Sequence, residues 1–91
     1  LGMVRQWQEL FYDRRYSGVD HPCPDYVQIA RGFGAHALRV DDPKNLDDAL
    51  NETLAAQGPA VLHVPIEKEE NVFPMVPASA SLDEMTFGTL A

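Results

Sequence analysis

Trp7 and Phe11 stand four residues apart in "MVRQWQELF", a spacing that places both rings on one face of a helix. An indole beside a phenyl ring can bury a large area in a core, or it can wall an apolar pocket that selects a ligand by shape. Sequence alone leaves both open. Ser79 and Ser81 have nucleophilic hydroxyls, but a serine nucleophile needs a positioned base and no histidine is local to them. The carboxylates at Asp47 and Asp48, and at Glu67, Glu69 and Glu70, could move protons only if something desolvated them, so they read as solvated surface. His21, His36 and His63 lack the short paired spacing that sets two imidazoles on one metal. Cys23 is the only cysteine, which excludes an internal disulfide and a thiolate cluster. These residues form no self-contained catalytic constellation and no metal site.

Two short motifs are decoys. "GFGAHA", Gly32 to Ala37, has the spacing of a dinucleotide fingerprint. That motif must follow a strand and open a helix so that phosphate meets the helix N-terminus. Here the glycines close a helix and lead into a strand. "NET", Asn51 to Thr53, fits a glycosylation sequon but falls inside a predicted helix, and chance accounts for it.

The elements that must position the aromatic pair follow from periodicity. Met3, Val4, Trp7, Leu10 and Phe11 recur at helical spacing, which predicts an amphipathic helix over Met3 to Tyr16. Gly18, Pro22 and Pro24 mark a loop, and Pro24 is expected in the first turn of a second helix with Tyr26, Ile29, Ala30 and Phe33 on its buried face. Gly34 stops that helix. His36 to Val40 is a predicted strand. Asp42 caps a helix with Pro43 at its first position and Leu46, Ala49, Leu50 and Leu54 on one face, as far as Gly58-Pro59. Ala60 to Ile66 reads as a near-continuous apolar parallel strand. Strand, helix and strand make one right-handed crossover. Beyond Glu67 the periodicity ends in an extended arm, 67–91, with a short helical turn at Leu82 to Thr86.

The fold class is therefore α/β, with helices and one βαβ unit over 1–66 and the arm after them. Two parallel strands with three helices leave open sheet edges, so the sheet is expected to be part of a larger one. An apolar helix starting at residue 1 gives the same expectation of a longer parent, and the isolated chain is expected to self-associate. With 14 acidic against 7 basic residues and a net charge of −7, nucleic acid and anionic membrane surfaces are not expected partners. No apolar run approaches the roughly 20 residues of a membrane span. Arg5 and Glu9 argue against a signal peptide, and the single cysteine fits a cytoplasmic setting.

Read as units, "LGMVRQWQELFYDRRYS", "PDYVQIARGFGAHALRV", "GPAVLHVPI" and "ENVFPMVPASASLDEM" resemble, in order and spacing, the C-terminal region of the acetolactate synthase catalytic subunit family. The resemblance is clearest at the two ends and weakest in Gly18 to Cys23 and Lys44 to Gln57. It implies the C-terminal half of a thiamin diphosphate-binding (pyrophosphate) domain. The parent would decarboxylate pyruvate on thiamin diphosphate and join the two-carbon unit to a second 2-oxo acid, with Mg2+ anchoring the diphosphate and FAD bound without net redox. The family's metal ligands belong upstream of Leu1 and its catalytic glutamate to another domain, so the segment alone is expected to be inactive and to bind none of these cofactors. Implied partners are the rest of the catalytic subunit, a homo-oligomer, and a regulatory small subunit.

By the same resemblance Gly2 and Met3 match cofactor-contacting positions. Val4, Trp7, Phe11 and Ala78 match positions of the substrate channel, Trp7 being the one that channel-blocking herbicides contact. Two alternatives stand beside this reading: another thiamin diphosphate carboligase or decarboxylase, and a non-catalytic assembly module with the same fold.

Overall fold

The structure is a computed structural model that describes residues 1–88. It divides into two compact units, Pro22–Ile66 and Leu1–His21 with the chain from Glu67 onward.

In the Pro22–Ile66 unit the element order is α2 (Tyr26–Gly32), β1 (His36–Arg39), α3 (Leu46–Ala55) and β2 (Ala60–His63). Asp25, not Pro24, starts α2: its carboxylate accepts the Gln28 backbone N–H at 3.0 Å, leaving the proline one position outside the helix. Gly34, at φ +83°, then turns the chain into β1 as the glycine stop predicts. Strands β1 and β2 pair in parallel, His36 opposite Ala60 through Arg39 opposite His63. That is the predicted crossover, with α3 between the strands. Asp42 accepts the Lys44 N–H, and Pro43–Asn45 form a single 3-10 turn before the α-helix proper begins at Leu46.

Both strands are shorter than predicted. The last ladder bond runs from Val40 N–H to His63 O at 3.0 Å. Beyond it Pro65 has no N–H to offer, and Val64 and Ile66 are exposed instead of extending the strand. The buried residues are small: Ala30, Ala37, Val40 and Ala49. The larger members of the predicted faces, Tyr26, Ile29, Phe33, Leu50 and Leu54, are exposed, because seven- and ten-residue helices over two strands cover little area. Tyr26 packs its ring edge-on to His63 at 5.3 Å.

In the unit formed by the two chain ends, α1 spans Gly2–Phe11. Its predicted extension to Tyr16 does not occur. Asp13 and Arg14 adopt positive φ, 52° and 57°, and reverse the chain. Gln8 secures the reversal: its Nε2 donates to Ser17 O and its Oε1 accepts Ser17 N–H, both at 3.0 Å. The arm from Glu67 doubles back on itself. Met75 and Thr86 exchange backbone hydrogen bonds at 2.9 and 2.8 Å, so Thr86 lies in an antiparallel bridge and the turn is confined to Leu82–Glu84. Ser81 and Glu84 cap that turn reciprocally.

Candidate ligand cleft

Helix α1 inverts the usual arrangement. Its buried residues are Arg5 and Gln6, while Met3, Val4, Trp7 and Phe11 are each between 41% and 47% exposed. The polar stripe is buried because the arm satisfies it. Arg5 donates to Glu9 at 2.9 Å and also to Asn71 Oδ1, and Asn71 donates to the same Glu9 carboxylate at 2.9 Å. Tyr16 adds a hydroxyl at 3.4 Å and presents its ring to the guanidinium at 5.9 Å. One corner is incomplete: among the described residues Arg5 Nε is buried without a partner.

The charges respond to this network. The Asn71 hydrogen bond, then the Arg5 hydrogen bond and charge, hold the Glu9 carboxyl below the ordinary glutamate range. Burial works against the Arg5 guanidinium, but its hydrogen bond to Glu9 and that carboxylate's charge raise its pKa on balance. The pair therefore stays ionised at neutral pH and serves as an anchor.

Gln6 adds the second anchor, donating to Val72 O at 2.9 Å and accepting Val72 N–H at 2.8 Å. Held there, the arm passes across α1 and closes a cleft of about 530 Å3 lined by Trp7, Phe11, Tyr12, Met75, Val76, Pro77 and Ala78. The lining is apolar and aromatic, with no charged side chain. Such a cleft can select a small ligand by shape, and the Tyr12 hydroxyl is the only titratable group in its lining.

Three of the residues singled out from sequence meet there: Trp7, Phe11 and, from the far end of the chain, Ala78. Val4 is exposed on α1 outside the lining, as are Gly2 and Met3 at its start. Sequence reasoning missed Tyr12, Met75, Val76 and Pro77 as lining residues. The "PMVP" motif was the available signal, because two prolines around two large apolar residues are an expensive pattern for a solvated tail. Ser79 and Ser81 lie outside the lining, and Ser81 is a cap. Among the described residues no three His, Cys, Asp or Glu side chains converge as a metal site would, and no helix is long and apolar enough to cross a membrane.

Comparison with known proteins places the sequence in a family. Residues 1–64 match the profile of the thiamine pyrophosphate enzyme C-terminal TPP binding domain. The chain is 44% identical over 86 residues to the acetolactate synthase isozyme 2 large subunit of Escherichia coli (strain K12), covering 93% of this chain and 16% of that protein. It is 42% identical over 83 residues to the mitochondrial acetolactate synthase catalytic subunit of Saccharomyces cerevisiae, covering 91% of this chain and 12% of that protein. The acetolactate synthase large subunit of Lactococcus lactis subsp. lactis is 42% identical over 86 residues, covering 93% of this chain and 15% of its own length. The chain thus spans about one sixth or less of the relatives it matches. The similarity to these relatives also reaches well beyond residue 64, into the arm that lines the cleft.

Proposed function

The chain belongs to the thiamine pyrophosphate enzyme family as a C-terminal TPP binding domain segment, and from that membership we propose that it forms one wall of the substrate channel in an acetolactate synthase catalytic subunit. The observation that carries the reading is the cleft itself: Trp7 and Phe11 from one end of the chain face Met75 to Ala78 from the other. The family profile stops at residue 64, whereas the similarity to acetolactate synthases continues through most of the arm. This favours acetolactate synthase over other thiamin diphosphate carboligases.

In this reading the parent decarboxylates pyruvate and joins the two-carbon unit to a second 2-oxo acid. When bound, thiamin diphosphate supplies the electron sink for loss of carbon dioxide. At the start of α1 Gly2 borders open space and Met3 beside it is exposed, so both are accessible to a group held by other parts of the parent. Gly2 and Met3 are assigned to cofactor contact by the resemblance alone; Trp7, Phe11 and Ala78 are assigned to the channel by the resemblance and by the cleft they line, and Val4, outside that lining, by the resemblance alone. The acidic residues of the chain gather into no metal group among the described residues. By the resemblance, ligands for Mg2+ and the diphosphate, and the FAD site, are assigned to other parts of the parent. In this reading the chain's own residues shape the channel and fix its width, and proton transfer is assigned to other parts of the parent.

The two-stranded sheet is, on this proposal, one edge of a larger parallel sheet. The exposed Ile29, Phe33, Leu54 and Ile66 would be covered by the rest of the catalytic subunit, within a homo-oligomer that can carry a regulatory small subunit. A cytoplasmic setting belongs to the same reading.

The test is the full-length protein carrying this segment, assayed with pyruvate, thiamin diphosphate, Mg2+ and FAD. Acetolactate should form. In that protein Trp7→Leu should weaken a channel-blocking inhibitor more than it weakens turnover. A product from glyoxylate or sulfoacetaldehyde in place of acetolactate would transfer the assignment to another carboligase, and inhibitor binding unaltered by Trp7→Leu would remove Trp7 from the channel.

A further inference from the structure

Trp7 stands between two glutamines that use their carboxamides in the same way. Gln6 both donates to and accepts from Val72, and Gln8 both donates to and accepts from Ser17. A side-chain amide bonded in this two-way manner supplies the pair of bonds that a neighbouring strand would otherwise give. The two clamps sit in different surroundings. Gln6 is 1% exposed, whereas the Gln8 bonds lie in the open, where water competes for them.

The buried clamp is also the one next to the cleft. Val72 lies three residues before Met75, whose Sδ is 3.4 Å from Gln6 Nε2 and whose side chain lines the cleft. Apolar contact between the arm and Trp7 is non-directional and would tolerate sliding. The Gln6 bonds are directional and name one residue of the arm.

We infer that Gln6 is the positioning residue of the cleft: its two-way bond to Val72 sets the distance between the Met75–Ala78 wall and Trp7, and thereby the width that a ligand must fit. This holds whatever the cleft binds.

The test compares Gln6→Glu and Gln6→Met with the unsubstituted chain, reading the emission of Trp7, the only tryptophan, and the NMR shift of the Val72 amide. A protonated carboxyl donates and accepts as the carboxamide does; an ionised one only accepts, and sets its charge against the Val72 carbonyl. The introduced carboxyl has its midpoint between these two forms; burial favours the protonated one and the neighbouring Arg5 charge the ionised one. Below that midpoint Gln6→Glu should give the unsubstituted signals. Above it, Trp7 emission should shift to the red and the Val72 amide should move toward its unstructured position. Gln6→Met should give the released signals at every pH.

Arg5 and Glu9 on α1, Arg14 and Tyr16 in the following loop, and Glu69 and Glu70 on the arm are common to all three chains, so the unsubstituted chain records their share. The inference is overturned if Gln6→Glu titrates without moving either signal, or if Gln6→Met keeps both unsubstituted signals. A Gln6→Glu chain that stays unfolded at every pH also overturns it, because the protonated form offers the same donor and acceptor.

Discussion

The Pro22–Ile66 unit buries Ala30, Ala37, Val40 and Ala49, whereas the unit built from the two chain ends buries Arg5 and Gln6 and leaves Trp7 and Phe11 at the surface of a cleft. The first follows the ordinary rule for a crossover, with small apolar residues where helix meets strand. The second spends its buried positions on hydrogen bonds to the arm. Apolar packing stabilises without specifying much direction, and a saturated polar network specifies one arrangement at a cost in desolvation. The contrast suggests that the crossover is scaffold and the chain-end unit is where shape is controlled.

The largest perturbation of this contrast should be Arg5→Ala. It leaves the nearly covered Glu9 carboxylate and the half-buried Asn71 without their cation, and should destabilise the chain-end unit by about 3 kcal/mol, seen as a lower urea midpoint of Trp7 emission. The amide signals of β1 and β2 should hold. If both sets of signals fail together, the two units are not separable.

Ala37→Leu probes the other side. Ala37 is 1% exposed, and a larger side chain should overpack the crossover at a cost of about 2 kcal/mol, read from exchange of the β1 amides, with Trp7 emission little altered. A smaller loss is expected from Asp25→Ala, which removes the acceptor for Gln28 N–H and should speed exchange of the first α2 amides without moving Trp7.

Acid gives the gentlest comparison. Glu9 is held below its ordinary value, so the stability it contributes is present above about pH 4.3, the unfolded value, and is lost as pH falls through the lowered folded value. Trp7 emission should therefore change at lower pH than free glutamate titrates. A Trp7 transition centred at or above the ordinary glutamate value would show that the Asn71 and Arg5 bonds do not hold in solution.

How much of this was legible beforehand depends on how local the signal is. The crossover was readable because each piece carries its own mark: Gly34 as a stop, Asp42 and Pro43 as a start, Gly58-Pro59 as a break. The strand ends were not, since a ladder stops where its partner stops, and Val64 and Ile66 look like strand residues in isolation. The end of α1 was missed for a related reason. Nothing in "YDRRYS" forbids a helix, and the turn is held by Gln8 reaching Ser17.

Sequence by itself determined the α/β class, the parallel pair, and the helix that carries Trp7 and Phe11 together, because periodicity, caps and breakers act within a few residues. Only the tertiary structure decided which face of that helix is buried. Gln6 becomes a good interior residue because Val72, 66 residues away, supplies its partners, Arg5 adds Asn71, equally distant, to its local bonds with Glu9 and Tyr16, and the same long-range bonds bring Ala78 to the cleft. Hydrogen-bond satisfaction across such a separation has no period to read in a linear chain.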